Sequence, residues 1–331
     1  MGVIYVLEDA YLSKEGGVLK VARRRGQEVF LERPLVGVEE IVILGNAVVT
    51  PALLKHCAKE GVGLHYLSPT GGYYAGLTRT PAKNAPLRVA QFRAHLDPKR
   101  KLALARRFVL GKVQNGLTFL RRNGALGWEA LKPFLQDVEK AANEETLRGL
   151  EGLAADRYFQ IWARLLPDGF TFTERNRRPP RDPVNSLLSL AYTLLAKECE
   201  SALHMAGLDP YVGYLHEVRY GRASLALDLM EEFRPILADS VVLILLANRR
   251  ITQEDFEEAH PELPFGEGFP KLRKEAWPKF LRAWEERLNQ RIRHPLLGKS
   301  HTYRETLLLQ ARLLGKHLMG ELPEYPPFTV R

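Results

Sequence analysis

Three side chains in the second half of the chain are spaced for chemistry. Asp228 sits inside the apolar run Ser224-Leu225-Ala226-Leu227-Asp228-Leu229-Met230-Glu231-Glu232-Phe233, and Glu231 follows three residues later. On a helix, such a pair projects from one face. A carboxylate among Leu and Met is costly unless a cation or hydrogen bonds compensate it. An imidazole lies just upstream, at His216 in Gly213-Tyr214-Leu215-His216. Farther back, Glu151 falls on the inward stripe of an expected helix, with Leu147, Ala154, Tyr158, Trp162 and Leu165, and Gly152 beside it leaves room for another element to approach. Imidazole and carboxylates together can hold a divalent cation. With no thiolate in the set, Mg²⁺ or Mn²⁺ is favoured, and the histidine tilts the choice toward Mn²⁺. On a phosphodiester, such an ion acts as a Lewis acid and activates an attacking hydroxyl or water, so no covalent protein nucleophile is needed.

Taken singly, each residue has a plainer explanation. A hydrogen-bonded structural histidine accounts for His216, a turn or cap acid for Asp228, and a solvated helix face for Glu231 and Glu232. A lone Glu at the edge of a stripe commonly reaches solvent, which accounts for Glu151. Only the joint pattern speaks for a metal. Other chemistries are excluded more firmly. His216-Glu217-Val218-Arg219-Tyr220 begins like a zinc-protease helix, but Tyr220 stands where the second histidine is needed. A nucleophile elbow, a phosphate-binding Gly-Lys-Ser/Thr loop and a dinucleotide fingerprint are absent from the sequence.

The charge distribution names the partner. Net charge is +9, and residues 86–122 alone carry ten Lys or Arg against a single acid, Asp97. That stretch holds Arg88, Arg93, Lys99, Arg100, Lys101, Arg106, Arg107, Lys112, Arg121 and Arg122, and a second cluster holds Arg175, Arg177, Arg178 and Arg181. Charge focused in this way suits a polyanion, although a basic helix face merely exposed to water has the same composition. The two cysteines, Cys57 and Cys199, exclude a disulfide framework and a cysteine-based zinc finger. Residues 1–12 lack a basic segment followed by an apolar one, and the longest apolar run, residues 241–247, is too short to span a bilayer. A cytoplasmic protein without a membrane partner is the resulting expectation.

The elements that must position these groups form two regions. Residues 3–7, 18–22, 28–31, 41–44, 62–67 and 73–77 read as strands, with a basic turn at 23–26 closing a hairpin and Gly71-Gly72 as a turn. Thr50-Pro51 reads as the cap and first residue of a helix ending at Gly61. Helical patterns then dominate, at about 87–95, 98–123, 127–141, 144–166, 183–206, 224–246, 252–258, 270–292 and 301–320. The fold class is therefore α+β. A small N-terminal β-sheet domain (1–77) is joined by a short linker (78–86) to a larger all-α domain (87–321). Residues 322–331, rich in proline, read as a loose tail.

Four ordered segments carry a family resemblance: Leu150-Glu151-Gly152; Arg175 to Pro180 with Asp182-Pro183-Val184-Asn185; Gly213 to His216; and Ser224 to Pro235. The chain resembles the CRISPR-associated endonuclease Cas1, the spacer-acquisition integrase, over nearly its whole length apart from the Pro-rich tail. The resemblance implies a homodimer formed in part through the N-terminal β domains, and a divalent ion in the helical domain. By motif position it implies Glu151, His216 and Glu231 as metal ligands and Asp228 as a neighbouring catalytic acid. Many relatives have Asp where Glu231 stands, and the extra methylene leaves direct contact with the ion open between Asp228 and Glu231. The implied reaction joins short captured DNA to a repeat array by 3′-hydroxyl transesterification and cuts branched DNA, with a small companion subunit bridging two dimers. Arg88, Arg93, Arg106 and Arg107 would then meet phosphates, which sets register rather than sequence. Arg175, Arg177, Arg178 and Arg181 would hold the strand near the site, with Asn185 and Tyr192 as hydrogen-bonding partners. Two alternatives stay open: a non-catalytic DNA-binding scaffold, and an RNA-processing metal nuclease.

Overall fold

The computed structural model describes residues 2–25, 27–68, 73–77, 84–176, 179–257 and 270–330. Most of the expected linker, the Gly71-Gly72 turn, and Arg177 and Arg178 lie outside these residues. The chain divides into two compact units, Met1–Pro81 and Ala82–Arg331.

The first unit holds β1 (Gly2–Val6), β2 (Ala10–Glu15), β3 (Val18–Ala22), β4 (Val29–Pro34), β5 (Val38–Ile43), β6 (Ala47–Val49), α1 (Pro51–Glu60), β7 (Gly63–Leu67) and β8 (Tyr73–Leu77). These strands form two four-stranded sheets, ordered β1-β5-β7-β8 and β4-β3-β2-β6. The pairs β1/β5, β5/β7 and β2/β6 are parallel. The core is a cluster that includes Leu12, Leu19, Val21, Ile41, Ile43, Leu53 and Leu64. β2 carries no strand signal because only Ala10 and Leu12 supply its buried face, among polar neighbours. Thr50 occupies the expected cap position of α1, but its hydroxyl makes no capping bond. Proline at the first turn starts that helix, and Gly61, with φ of 71°, ends it.

The second unit contains α2 (Ala85–Leu96), α3 (Pro98–Arg122), α4 (Lys132–Lys140), α5 (Glu144–Trp162), α6 (Pro183–Ala206), α7 (Ser224–Glu231), α8 (Ser240–Ala247), α9 (Trp277–Asn289), β9 (Arg291–Arg293), β10 (Ser300–Thr302) and α10 (Tyr303–Leu318). Caps fix three of the helices that matter for the site. Asp97 accepts from the N–H groups of Lys99 and Arg100, Asn143 from Thr146, and Asp182 from Asn185. α3 and α6 run through the core, burying Leu104, Phe108 and Val109 on one and Leu187, Leu188 and Leu195 on the other.

Three expectations for this unit are corrected. It is not purely helical, since β9 and β10 form a short antiparallel hairpin. The helix expected over 224–246 is interrupted by a π-wound turn at Arg234–Asp239, where Pro235 removes a donor from the ladder. The tail is not loose. Tyr325 and Phe328 are each 1% exposed, Phe328 stacks on Phe233 at 5.2 Å, and Tyr325 packs on Phe108. Aromatic anchors between prolines bury enough surface to hold a segment that is already conformationally restricted.

Candidate metal centre

The site is built from α3, α5, α7 and the loop before α7. That loop is stitched down by Gln91 of α2, which is fully buried. Its amide donates to the carbonyls of Asp209 and Val212 and accepts from Asp209 N–H. His95 Nδ1 donates to the carbonyl of Gly213 at 2.7 Å. A side chain cannot be accommodated at Gly213: a Cβ would lie 2.8 Å from backbone and side-chain carbons of Ser224 and 2.9 Å from Asp228 Oδ2.

This close approach lets Asp228 gather the loop. Its Oδ2 accepts from the main-chain N–H groups of Tyr214 and Leu215, and its Oδ1 from His216 N–H at 2.8 Å. The same Oδ1 takes His216 Nδ1–H at 2.8 Å. Asp228 is fully buried and its lone pairs are spent inside the protein. With Nδ1 donating to Asp228, Nε2 is the ring nitrogen turned toward the cluster, 3.7 Å from Glu231 Oε1.

Glu231 is the focus of the charges. Arg234 Nη2 lies 3.0 Å from its Oε1, and Lys112 Nζ lies 2.8 Å from its Oε2. The Lys112 ammonium also pairs with Glu151 Oε1, so one cation lies between the two glutamates. Burial opposes ionisation of Glu231, but Arg234, Lys112 and His216 outweigh it and hold the carboxyl at about 2. The neighbouring Gly111 leaves room for Glu232 and the C-terminal segment, since a Cβ there would come within 2.8 Å of Glu232 Cγ and 3.0 Å of Pro327 Cβ.

Behind these groups lies a buried polar layer. Asp239 accepts from the Tyr158 hydroxyl at 2.9 Å and the Tyr192 hydroxyl at 2.6 Å. Burial pushes its carboxyl up to about 6, against the two hydroxyls and the nearby Arg234 and Arg175. The Arg234 and Arg175 guanidiniums lie 4.7 and 5.2 Å from the centre of the Tyr192 ring. Lys112, Glu151, Arg175, Tyr192 and Arg234 share a cavity of about 440 Å³ with the apolar Phe159.

The structure thus brings Glu151, His216, Asp228 and Glu231 into one cluster. As they stand, no three His, Cys, Asp or Glu side chains among the described residues are gathered to hold a metal; the ammonium of Lys112 lies between the glutamates. The donor set nonetheless fits a hard divalent cation, with two carboxylates, one imidazole nitrogen, no thiolate, and a cation already drawn to the spot. Glu231 faces Lys112 and Arg234, and Asp228 serves the loop and the imidazole.

Other sequence expectations fall differently. Gly152 admits no neighbouring element, since a Cβ there would meet nothing within 4 Å. Asn185 is fully buried and is used internally: its carbonyl accepts from Arg175 and Asn176 N–H, and its amide donates to the Glu174 carbonyl and to Asp182. Arg106 donates to the Ala141 carbonyl and Arg107 pairs with Glu324. Arg93, Lys99, Arg100, Arg121 and Arg181 are exposed, and Arg88 is half-buried. Sequence pattern does not single out Lys112, Arg234 or Asp239 as members of the site. For Arg234 a signal exists, because it follows Glu231 at i+3.

Residues 4–286 match the family model described as "CRISPR associated protein Cas1". The chain is 74% identical to "CRISPR-associated endonuclease Cas1 3" of Thermus thermophilus, covering 100% of this chain and 98% of that protein. It is 40% identical to a "CRISPR-associated exonuclease Cas4/endonuclease Cas1 fusion" of Geobacter sulfurreducens, of which it spans 59%. Among solved structures, a CAS1 protein from Thermotoga maritima superposes with a TM-score of 0.85 at 24% identity over all of both chains, which shows the shared fold. A chain of a "Cas6-RT-Cas1--Cas2 complex" superposes with a TM-score of 0.81 at 25% identity, covering all of this chain and 36% of that one.

Proposed function

Since the chain belongs to the CRISPR-associated Cas1 family, we propose that it is a divalent-metal-dependent DNA endonuclease and integrase. In this reading it inserts short foreign DNA into a repeat array by 3′-hydroxyl transesterification and cuts branched DNA. The observation that carries the reading is the convergence of Glu151 and Glu231 on one ammonium, with His216 Nε2 beside Glu231 and Asp228 holding the imidazole through Nδ1.

Glu151, Glu231 and His216 would hold Mg²⁺ or Mn²⁺. The chemistry supplied there when the ion is bound is Lewis-acid polarisation of a phosphoryl oxygen and activation of an attacking hydroxyl or water. The protein's own groups do the rest. Asp228 engages His216 Nδ1 and so presents Nε2 as the nitrogen that would meet the ion. Arg234 holds Glu231 in place and ionised. Arg175 and Arg234 present positive charge to the cavity, where a phosphate of the strand would be oriented. The exposed Arg93, Lys99, Arg100 and Arg121 offer phosphate contacts that add affinity without sequence preference.

The likeness to a chain of a "Cas6-RT-Cas1--Cas2 complex" supports a companion subunit; the homodimer belongs to the same reading through the family resemblance of the sequence. No helix among the described residues is long and apolar enough to cross a membrane.

The deciding experiment incubates the protein with branched DNA in Mn²⁺, Mg²⁺ or EDTA, beside the His216→Ala variant and with the companion subunit present. Product that requires both metal and His216 is expected. Retained activity in His216→Ala would overturn the assignment. DNA binding without product in any metal would favour the scaffold, and preference for RNA the processing nuclease.

A further inference from the structure

The unusual member of the site is Lys112. Its side chain is 15% exposed, it stands on a helix whose neighbouring turns are core, and its ammonium pairs with both Glu151 and Glu231. Glu231 already has a second cation, Arg234, on its other oxygen. Two carboxylates are therefore balanced by two cations before any metal arrives. A divalent ion between the same glutamates would add two positive charges beside Lys112 and Arg234. The ammonium and the ion also claim the same oxygens.

We infer that Lys112 is a built-in counter-ion that occupies the metal's place in the metal-free protein, keeps Glu151 and Glu231 assembled there, and must be displaced for the metal to bind. The inference rests on the reading that this site takes a divalent cation. The physical need is clear: without a cation, two carboxylates in a largely buried cluster repel each other and lose solvation. A lysine suits the role better than an arginine. Its charge is a compact point on a flexible stem that can swing away, whereas a guanidinium fork would hold a carboxylate bidentately.

The consequence is a trade between stability and metal affinity. Lys112 stabilises the metal-free site and weakens metal binding by competition. Replacing it with methionine, of similar length and without charge, should make the metal-free protein melt at a lower temperature in EDTA. Mn²⁺ should then bind about ten- to a hundredfold more tightly, the range typical of changes beside a metal's ligands.

The test is a Mn²⁺ titration followed by the electron paramagnetic resonance of free Mn²⁺, with melting curves in EDTA and in saturating Mn²⁺. It is run on wild type, Lys112→Met, Lys112→Arg and Glu151→Gln. Tighter binding in Lys112→Met, unimproved binding in Lys112→Arg and loss of binding in Glu151→Gln are expected. The melting temperature of Lys112→Met should rise more on adding Mn²⁺ than that of wild type. Wild-type binding that Glu151→Gln abolishes but Lys112→Met leaves equal or weaker would overturn the counter-ion role alone. If Lys112→Met does not fold, Lys112→Arg decides: binding tighter than wild type in a variant that keeps the charge would overturn the role. Absence of Mn²⁺ binding in all four proteins would overturn the metal reading and this inference together.

Discussion

Oδ1 of Asp228 lies 2.8 Å from His216 Nδ1 and 2.8 Å from His216 N–H, so one carboxylate oxygen fixes both the ring and the backbone of the same residue. Its other oxygen takes the two preceding N–H groups. Asp228 is thus the mould of the loop and the orienter of the imidazole. Asp228→Asn replaces an acceptor oxygen with a donor that faces N–H groups. DNA cleavage should fall about 10- to 100-fold, with apparent Mn²⁺ affinity falling alongside while DNA binding by gel shift is retained. Unchanged Mn²⁺ affinity would remove Asp228 from the positioning role.

Gly213→Ala tests the close approach that makes this mould possible. The added Cβ would meet Ser224 at 2.8 Å and Asp228 Oδ2 at 2.9 Å. Overpacking of this kind costs about 1–3 kcal/mol, and the loss should appear in urea unfolding together with reduced cleavage. The exposed Gly152, in the interior of α5 with open space around it, should instead gain about 0.5–1 kcal/mol when replaced by alanine.

The C-terminal segment is a structural part of the helical unit. Phe328 N–H and the Tyr325 hydroxyl both donate to Glu232, the neighbour of Glu231, as does Gln310. Burial pushes the Glu232 carboxyl up to about 8 despite these donors. Phe328→Ala should destabilise by about 3–5 kcal/mol. Tyr325→Phe, which removes one hydrogen-bond partner from a buried carboxyl group, should cost about 1–3 kcal/mol. Chemical denaturation of both variants checks this; an unaltered midpoint for either would show that the segment is not docked in solution.

Asp239 gives a pH dependence with a definite sign. Its folded carboxyl stands at about 6, against an ordinary value of 3.8. Between these two values the folded protein holds a proton that the unfolded chain releases. Its contribution to stability therefore falls as pH rises from about 4 to about 6 and is level above that. The full effect is on the order of 3 kcal/mol at most. Comparing wild type with Asp239→Asn by urea unfolding at several pH values isolates this part. Equal pH dependence in the two proteins would show that Asp239 does not titrate in that window.

Two groups of arginine and lysine should separate in salt titrations of DNA binding. Lys99 and Arg100 are exposed at the start of α3. Neutralising both should reduce the log–log salt slope on duplex DNA by about 0.9 for each phosphate that the protein no longer neutralises. Arg106 and Arg107 are engaged with Ala141 and Glu324, so neutralising them should lower the melting temperature and leave the slope nearly unchanged. A flattened slope for Arg106 and Arg107 would return them to the interface.

By itself, the sequence determined the class of fold, the helices with strong caps, and which carboxylates would need partners. Helix α6 begins and ends where Asp182-Pro183 and Gly207 place it, because capping is local chemistry written within a few residues. Asp228 and Glu231 were legible because a charge in an apolar run demands compensation wherever the run folds. Tertiary structure alone decided what compensates each charge. Lys112 comes from a helix more than a hundred residues earlier in the chain and Glu151 from another, and no periodicity within either helix announces their meeting. The π-wound turn that follows Glu231, and the docking of Tyr325 and Phe328 beside Glu232, likewise depend on surfaces that exist only once the helices have packed. Local propensity set the elements, and burial against distant partners set which polar groups became a site and which became scaffold.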